Sequence, residues 1–245
     1  MQASASAKKK FKNLLFIDVK TIAGEAAFEQ VDPRMQRQWE QKISYYRDNE
    51  GLTPAEWYNR RASYYAEFGR IVCVGIGGLY WNDEEQLHLK VKILDHDNEL
   101  SLLREFIHII NRYPPNDLVL CAHNGKEFDF PFLCRRMMVH GFKLPQTLQL
   151  SGRKPWEVPH QDTLENWRFG ERSHFVPLDL LAAILDVPAK PLDLTEEQVS
   201  LVYYRENDMG RIRQYTQDSI VMLTQVYLRM TGAPLLEENH IIYTD

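Results

Sequence analysis

Cys121-Ala122-His123-Asn124-Gly125-Lys126-Glu127-Phe128-Asp129-Phe130-Pro131-Phe132-Leu133 is the stretch on which the reading of this fold turns. The apolar run Asp117–Ala122 before it has the composition of a buried strand, and Asn124-Gly125 then supplies a turn. A helix is predicted over Phe128–His140, which puts Asp129 in its first turn. Two roles are open to that carboxylate. It is either an N-terminal helix stabiliser, worth a few tenths of a kcal/mol, or a residue of a site. The polar and aromatic block around it is far more specific than a turn requires.

Two other segments share that specificity. In Asn13-Leu14-Leu15-Phe16-Ile17-Asp18-Val19-Lys20-Thr21, the residues Leu14–Val19 are apolar without alternation, as in a central strand buried on both faces. Alternate residues of a strand point the same way, so Asp18 and Lys20 are expected to share a face at its C-terminal end. An Asp-x-Glu pair in that setting is a metal-ion site; here an ammonium replaces the second carboxylate. The third segment is Arg213-Gln214-Tyr215-Thr216-Gln217-Asp218-Ser219, early in a long helix predicted over Asp208–Met230. The residue four along from Tyr215 on the same face is Ser219. Asp218 stands one position short, which rotates its side chain by about 100°.

Between these segments, residues 24 to 66 read as a helical insertion after the first strand, with Thr53-Pro54-Ala55-Glu56 as a capped helix start. Arg70–Trp81 and Gln86–Leu94 read as a strand hairpin, and Glu99–Arg112 as an amphipathic helix ended by Pro114-Pro115-Asn116. A further helix is predicted over Leu178–Leu185. The order predicts an α/β fold, a mixed central sheet flanked by helices.

Composition narrows the classes of function. The 245 residues suffice for one α/β domain, expected over 13–245 behind a disordered basic tail at 1–12. A net charge of −5 argues against bulk capture of duplex nucleic acid but leaves room for a local basic groove. Cys73, Cys121 and Cys134 are scattered in apolar contexts, which suits a reducing, cytoplasmic compartment. No segment reaches 18 apolar residues, so no membrane span is expected. His123 and His160 read as hydrogen-bonded structural residues.

Together the three segments resemble the DnaQ-like 3′–5′ exonucleases of the ribonuclease H-like fold, in the predicted PolB-like branch of the DEDDy type. The resemblance runs over roughly residues 13 to 235. It implies a phosphodiesterase in which four carboxylates hold two Mg²⁺ or Mn²⁺ ions about 4 Å apart, with a tyrosine orienting the attacking water. It also implies single-stranded DNA or RNA as partner, met by Asn124, Lys126, Phe128, Arg135 and Arg136, with Arg153 and Lys154 as further phosphate contacts. By position, Asp18, Asp129 and Tyr215 match the family pattern. Lys20 replaces its Glu, and Ser219 stands where Tyr215 leads one to expect the last Asp.

These replacements change the chemistry. Asp18, Lys20, Asp129 and Ser219 sum to a formal charge of −1 where the family site carries −4. A protonated lysine has no lone pair for a metal, and at about 4 Å it repels a divalent ion by several kcal/mol even at an effective dielectric of 20. Lys20 is therefore expected to act as the cation itself, paired with Asp18 or Asp129, in a protein with impaired or lost two-metal catalysis. Two alternatives follow from the same residues. One is a working exonuclease using Asp18, Asp129, Asp218 and Tyr215, with Asp18 and Asp129 on the metal. The other is a non-catalytic interaction scaffold.

Overall fold

The structure is a computed structural model that describes residues 11–45, 51–171 and 174–244. A six-stranded mixed sheet runs through it, built from β1 (Leu14–Ala23), β2 (Gly69–Trp81), β3 (Leu87–Leu94), β4 (Val119–Ala122), β5 (Gln161–Asp162) and β6 (Ile241–Thr244). The spatial order is β5-β4-β1-β2-β3-β6. β1, β2 and β3 are antiparallel neighbours, whereas β4 and β5 extend the sheet in parallel beyond β1, and β6 lies parallel to β3. The α/β fold with a mixed central sheet, flanked by helices, is thus the one expected from sequence.

Odd and even positions of β1 serve different layers. Leu15, Ile17 and Val19 pack into a core with α3 (Glu99–Ile110) and α4 (Asp129–Val139), numbering after α1 (Pro33–Ser44) and α2 (Pro54–Arg61). Phe16 faces the other way, edge-on to Tyr227 of the long terminal helix α8 (Met209–Met230). Between α4 and α8 come three short helices, α5 (Thr163–Arg168), α6 (Leu178–Ile184) and α7 (Glu196–Leu201). The insertion between β1 and β2 folds α1 and α2 around Trp39, Tyr58 and Phe68, with Trp39 edge-on to both rings.

The sequence reading differs in detail. β1 does not stop at Val19 but continues to Ala23 through a register shift between Lys20 and Thr21. Of the expected tail, residues 1–10 lie outside the described residues, whereas Phe11 and Lys12 form a helical turn with Phe11 buried. None of the described helices is long and apolar enough to cross a membrane.

Glycines in β2 set how closely α8 approaches. A Cβ on Gly75 would come within 2.6 Å of Ile220 Cγ1, and one on Gly77 within 2.8 Å of Ile220 Cγ2. Ile220 is buried, so neither contact can be relieved by swinging into solvent. Gly75→Val is expected to destabilise the protein by about 1–3 kcal/mol through overpacking, read as a lower urea midpoint with an unchanged slope.

Candidate active centre

β1 delivers Asp18 and Lys20 to the face covered by α8, opposite Gly75 and Cys73 of β2. Lys20 has no solvent exposure at all. Its Nζ lies 2.8 Å from Asp18 Oδ2 and 2.5 Å from Glu196 Oε1, and 4.0 Å above the ring centroid of Tyr215. Tyr215 Oη donates to the same Glu196 oxygen at 2.7 Å. The ammonium is therefore enclosed by two carboxylates and an aromatic face, the arrangement a buried cation needs to offset its desolvation.

Asp129 enters from the first turn of α4. It is buried, and its Oδ1 accepts the Val19 backbone N–H at 2.9 Å. Its approach is fixed by Asp162, which the resemblance places near the site without a catalytic role. Asp162 Oδ1 accepts the N–H of Asn124 at 2.9 Å and of Leu164 at 3.0 Å, and Oδ2 accepts the N–H of Lys126 at 3.0 Å. One carboxylate thus caps α5 and holds the loop that leads to Asp129. Asn124 takes a left-handed φ of 62° there, which Asn tolerates better than most residues.

The charges reinforce this picture. Burial alone would lower the Lys20 pKa, but Asp18 and Glu196 outweigh it and hold the group well above its ordinary value. Asp129 is driven the other way from a typical carboxylate: burial, then the nearby charge of Asp18, push its pKa well up. Burial likewise raises the Tyr215 hydroxyl, so it stays a neutral donor.

Four other sequence candidates are placed as follows. Ser219 is buried one turn along α8 from Tyr215. Asp218 is not gathered with Asp18 and Asp129: both of its oxygens accept from Gln214 Nε2 at 3.1 Å, and it lies near Tyr243 of β6. Phe128 packs against Tyr64 and Phe132. Arg136, expected as a phosphate contact, already has partners within the protein. Its guanidinium is committed to the buried Glu99 through Nε at 2.9 Å and Nη2 at 2.6 Å, and to Ala66 O through Nη1 at 2.8 Å.

Both histidines are structural by their bonding. His160 Nδ1 accepts the Leu120 N–H, which leaves Nε2–H to donate to Thr147 O at 3.0 Å, and burial pushes its pKa down to about 4. His123 bridges Thr163 Oγ1 and Val176 O.

Glu196 is the functional residue that sequence reading missed. It stands in the first turn of the six-residue α7, 176 positions from Lys20. The one available signal was physical: a buried lysine needs more counter-charge than Asp18 alone provides.

The residues present do not fit a pair of divalent metal ions. Lys20 Nζ takes the place between Asp18 and Glu196 that a cation would use, and it offers no lone pair.

Comparison with known proteins agrees with this architecture. Residues 64–235 match a family described as predicted 3′–5′ exonuclease related to the exonuclease domain of PolB. The chain belongs to that family. The matched span holds Asp129, Tyr215 and Glu196, while Asp18 and Lys20 precede it. No curated protein matches. Among solved structures, the family B DNA polymerase of the hyperthermophilic archaeon Pyrobaculum calidifontis superposes with a TM-score of 0.53 at 13% identity. That match covers 88% of this chain and 24% of the polymerase, so the chain spans about a quarter of its relative's length. The likeness is one of fold.

Proposed function

We propose that this member of the PolB-related exonuclease family binds single-stranded nucleic acid near 3′ ends without two-metal hydrolysis. The observation that carries the proposal is the Lys20 ammonium sealed between Asp18 and Glu196. A metal-dependent nuclease bridges the scissile phosphate to its carboxylates with divalent cations. Here two carboxylates, Asp18 and Glu196, flank one ammonium, so the centre keeps a negative excess that repels a phosphodiester.

The strand is instead assigned to a neighbouring groove of about 730 Å³, which starts at Asn124 and Lys126 on the loop leading to Asp129. Arg135 and Arg153 line it and enter no ion pair among the described residues, whereas Lys126 is already bonded to Glu165 at 2.5 Å. Phe169, 93% exposed, stands between the lining residues Arg168 and Gly170, and Trp156, 74% exposed, lies in the segment between Arg153 and Val158, which also line the groove. Phe169 adopts a left-handed φ of 47° where it ends α5, which turns the chain at the edge of the groove. Cations along a groove with exposed rings beside it suit sequence-tolerant binding of single strands.

The test uses 3′-labelled single-stranded DNA and RNA with Mg²⁺ or Mn²⁺. No shortening is expected, together with a gel shift that Trp156→Ala weakens about tenfold and Arg135→Glu also weakens. Processive shortening that disappears in Asp129→Ala would overturn the loss of catalysis. Absence of any shift at low salt would leave a scaffold in place of a binder.

A further inference from the structure

A second concave surface lies on the sheet face that Leu15 shares with α3, next to β3. It is an open hollow of about 570 Å³. Leu15, Ile76 and Gly78 form its floor, and Ile109 and Tyr113 are apolar parts of its lining. Around it stand Lys90 and Lys92 of β3, His108 of α3 and Arg112 just beyond that helix, with Glu105 as the one lining carboxylate among the described residues. Glu105 is occupied by His96 at 2.6 Å and Lys92 at 3.4 Å. Among the described residues Lys90, His108 and Arg112 enter no ion pair. In a chain of net charge −5 this is a concentrated positive hollow.

Gly78 has no packing explanation of the kind that applies to Gly75 and Gly77. A Cβ there would touch only Leu15 Cδ2, at an ordinary 3.5 Å, so the space above it is open. The missing side chain is what gives the hollow its depth. A flat apolar group can lie on that floor while an anion reaches the surrounding cations.

We propose that this hollow binds an organic polyphosphate bearing a planar group, the chemistry of a nucleoside di- or triphosphate. The planar part rests over Gly78 against Ile76 and Tyr113, and the phosphates meet Lys90, Lys92 and Arg112. Ammonium and guanidinium groups form charge-assisted bonds to phosphate oxygens. The site is separate from the groove of Arg135 and Arg153, so either can fail without the other.

Titration calorimetry of the full chain at low ionic strength, with ATP, AMP, inorganic pyrophosphate and an oligothymidylate, tests this. ATP is expected to bind saturably and more tightly than AMP or pyrophosphate. Lys90→Glu and Arg112→Glu should each weaken it about tenfold. Gly78→Val should weaken it comparably by filling the floor, with an unchanged or higher melting temperature because a β-branched residue suits a strand. Arg135→Glu should leave ATP binding intact. No saturable ATP binding, or binding indifferent to Gly78→Val and Lys90→Glu, overturns the site. Pyrophosphate binding as tightly as ATP overturns the planar group. Oligothymidylate binding lost in Arg112→Glu, without ATP binding, reassigns the hollow to strand phosphates and overturns the nucleotide.

Discussion

Glu99→Ala is expected to lower folding stability by about 3–5 kcal/mol, the range for breaking a buried ion pair by removing one partner. Glu99 is buried at the start of α3 and serves three elements at once. Its Oε1 accepts the Ile71 N–H of β2 at 2.7 Å and Arg136 Nε at 2.9 Å. Its Oε2 accepts Arg136 Nη2 at 2.6 Å and lies 2.7 Å from His140 Nε2. Removing the carboxylate strands a guanidinium and a strand N–H away from water.

The pH dependence of that network has a definite sign. Burial by itself raises the Glu99 pKa, but Arg136, the Ile71 N–H and His140 more than compensate and leave it below its ordinary value. A depressed carboxylate contributes stability that is present above its unfolded pKa, about 4.3, and is lost as pH falls through the folded value. The difference between wild type and Glu99→Ala should therefore be full at neutral pH and shrink below about pH 4. Urea denaturation at a series of pH values measures it. Paired apolar replacement, Glu99→Leu with Arg136→Met, should recover much of the loss because no charge is left unpaired. A Glu99→Ala loss that stays constant down to pH 3 would place the effect in packing instead.

The sequence was most legible where chemistry and periodicity coincide. Leu14–Val19 reads as a doubly buried strand because nothing in it alternates, and its odd and even residues do serve two cores. The Asn-Gly turn and the position of Asp129 were legible because turn residues and helix starts are local. Partners made by topology were not. Lys20 was expected to pair with Asp18 or Asp129; it pairs with Asp18, while Asp129 accepts the Val19 N–H and Glu196 supplies the second carboxylate. Glu196 sits in one short helix with no long-range signature, and Asp162 acts through backbone N–H groups that no side-chain pattern reveals. Arg136 looked like a surface cation because the sequence around it does not show that Glu99 is buried beside it. β5 and β6, of two and four residues, were too short to carry a period.

Lys20→Met is expected to destabilise the protein by about 3 kcal/mol at neutral pH, since it leaves the largely enclosed Asp18 without its cation, while Glu196 keeps 41% of its side chain exposed to water. Asp129 already carries a raised pKa in the presence of Lys20, with the ammonium opposing the rise. Without that charge Asp129 titrates higher still. A carboxylate whose folded pKa is raised contributes stability that is present below its unfolded value, about 4, and is lost as pH rises through the folded value. Lys20 itself is also raised, so its contribution is fully present below its unfolded pKa of about 10.4 and lost as pH climbs past the folded one. The gap between wild type and Lys20→Met should accordingly be present at neutral pH and close only in strong alkali, as pH climbs past the folded Lys20 value. Lys20→Glu turns the same centre into a metal site, adding a carboxylate and removing the cation that bars divalent ions. In metal-free buffer it should be less stable than Lys20→Met through carboxylate repulsion, and millimolar Mn²⁺ should raise its melting temperature. Saturation at a hundredfold over Kd corresponds to about 2.7 kcal/mol of stabilisation. Wild type should show no such Mn²⁺ response. A wild-type melting temperature that climbs with Mn²⁺ and ceases to do so in Asp18→Ala would mean that Lys20 yields its place to a metal, and the centre would have to be read as an active one.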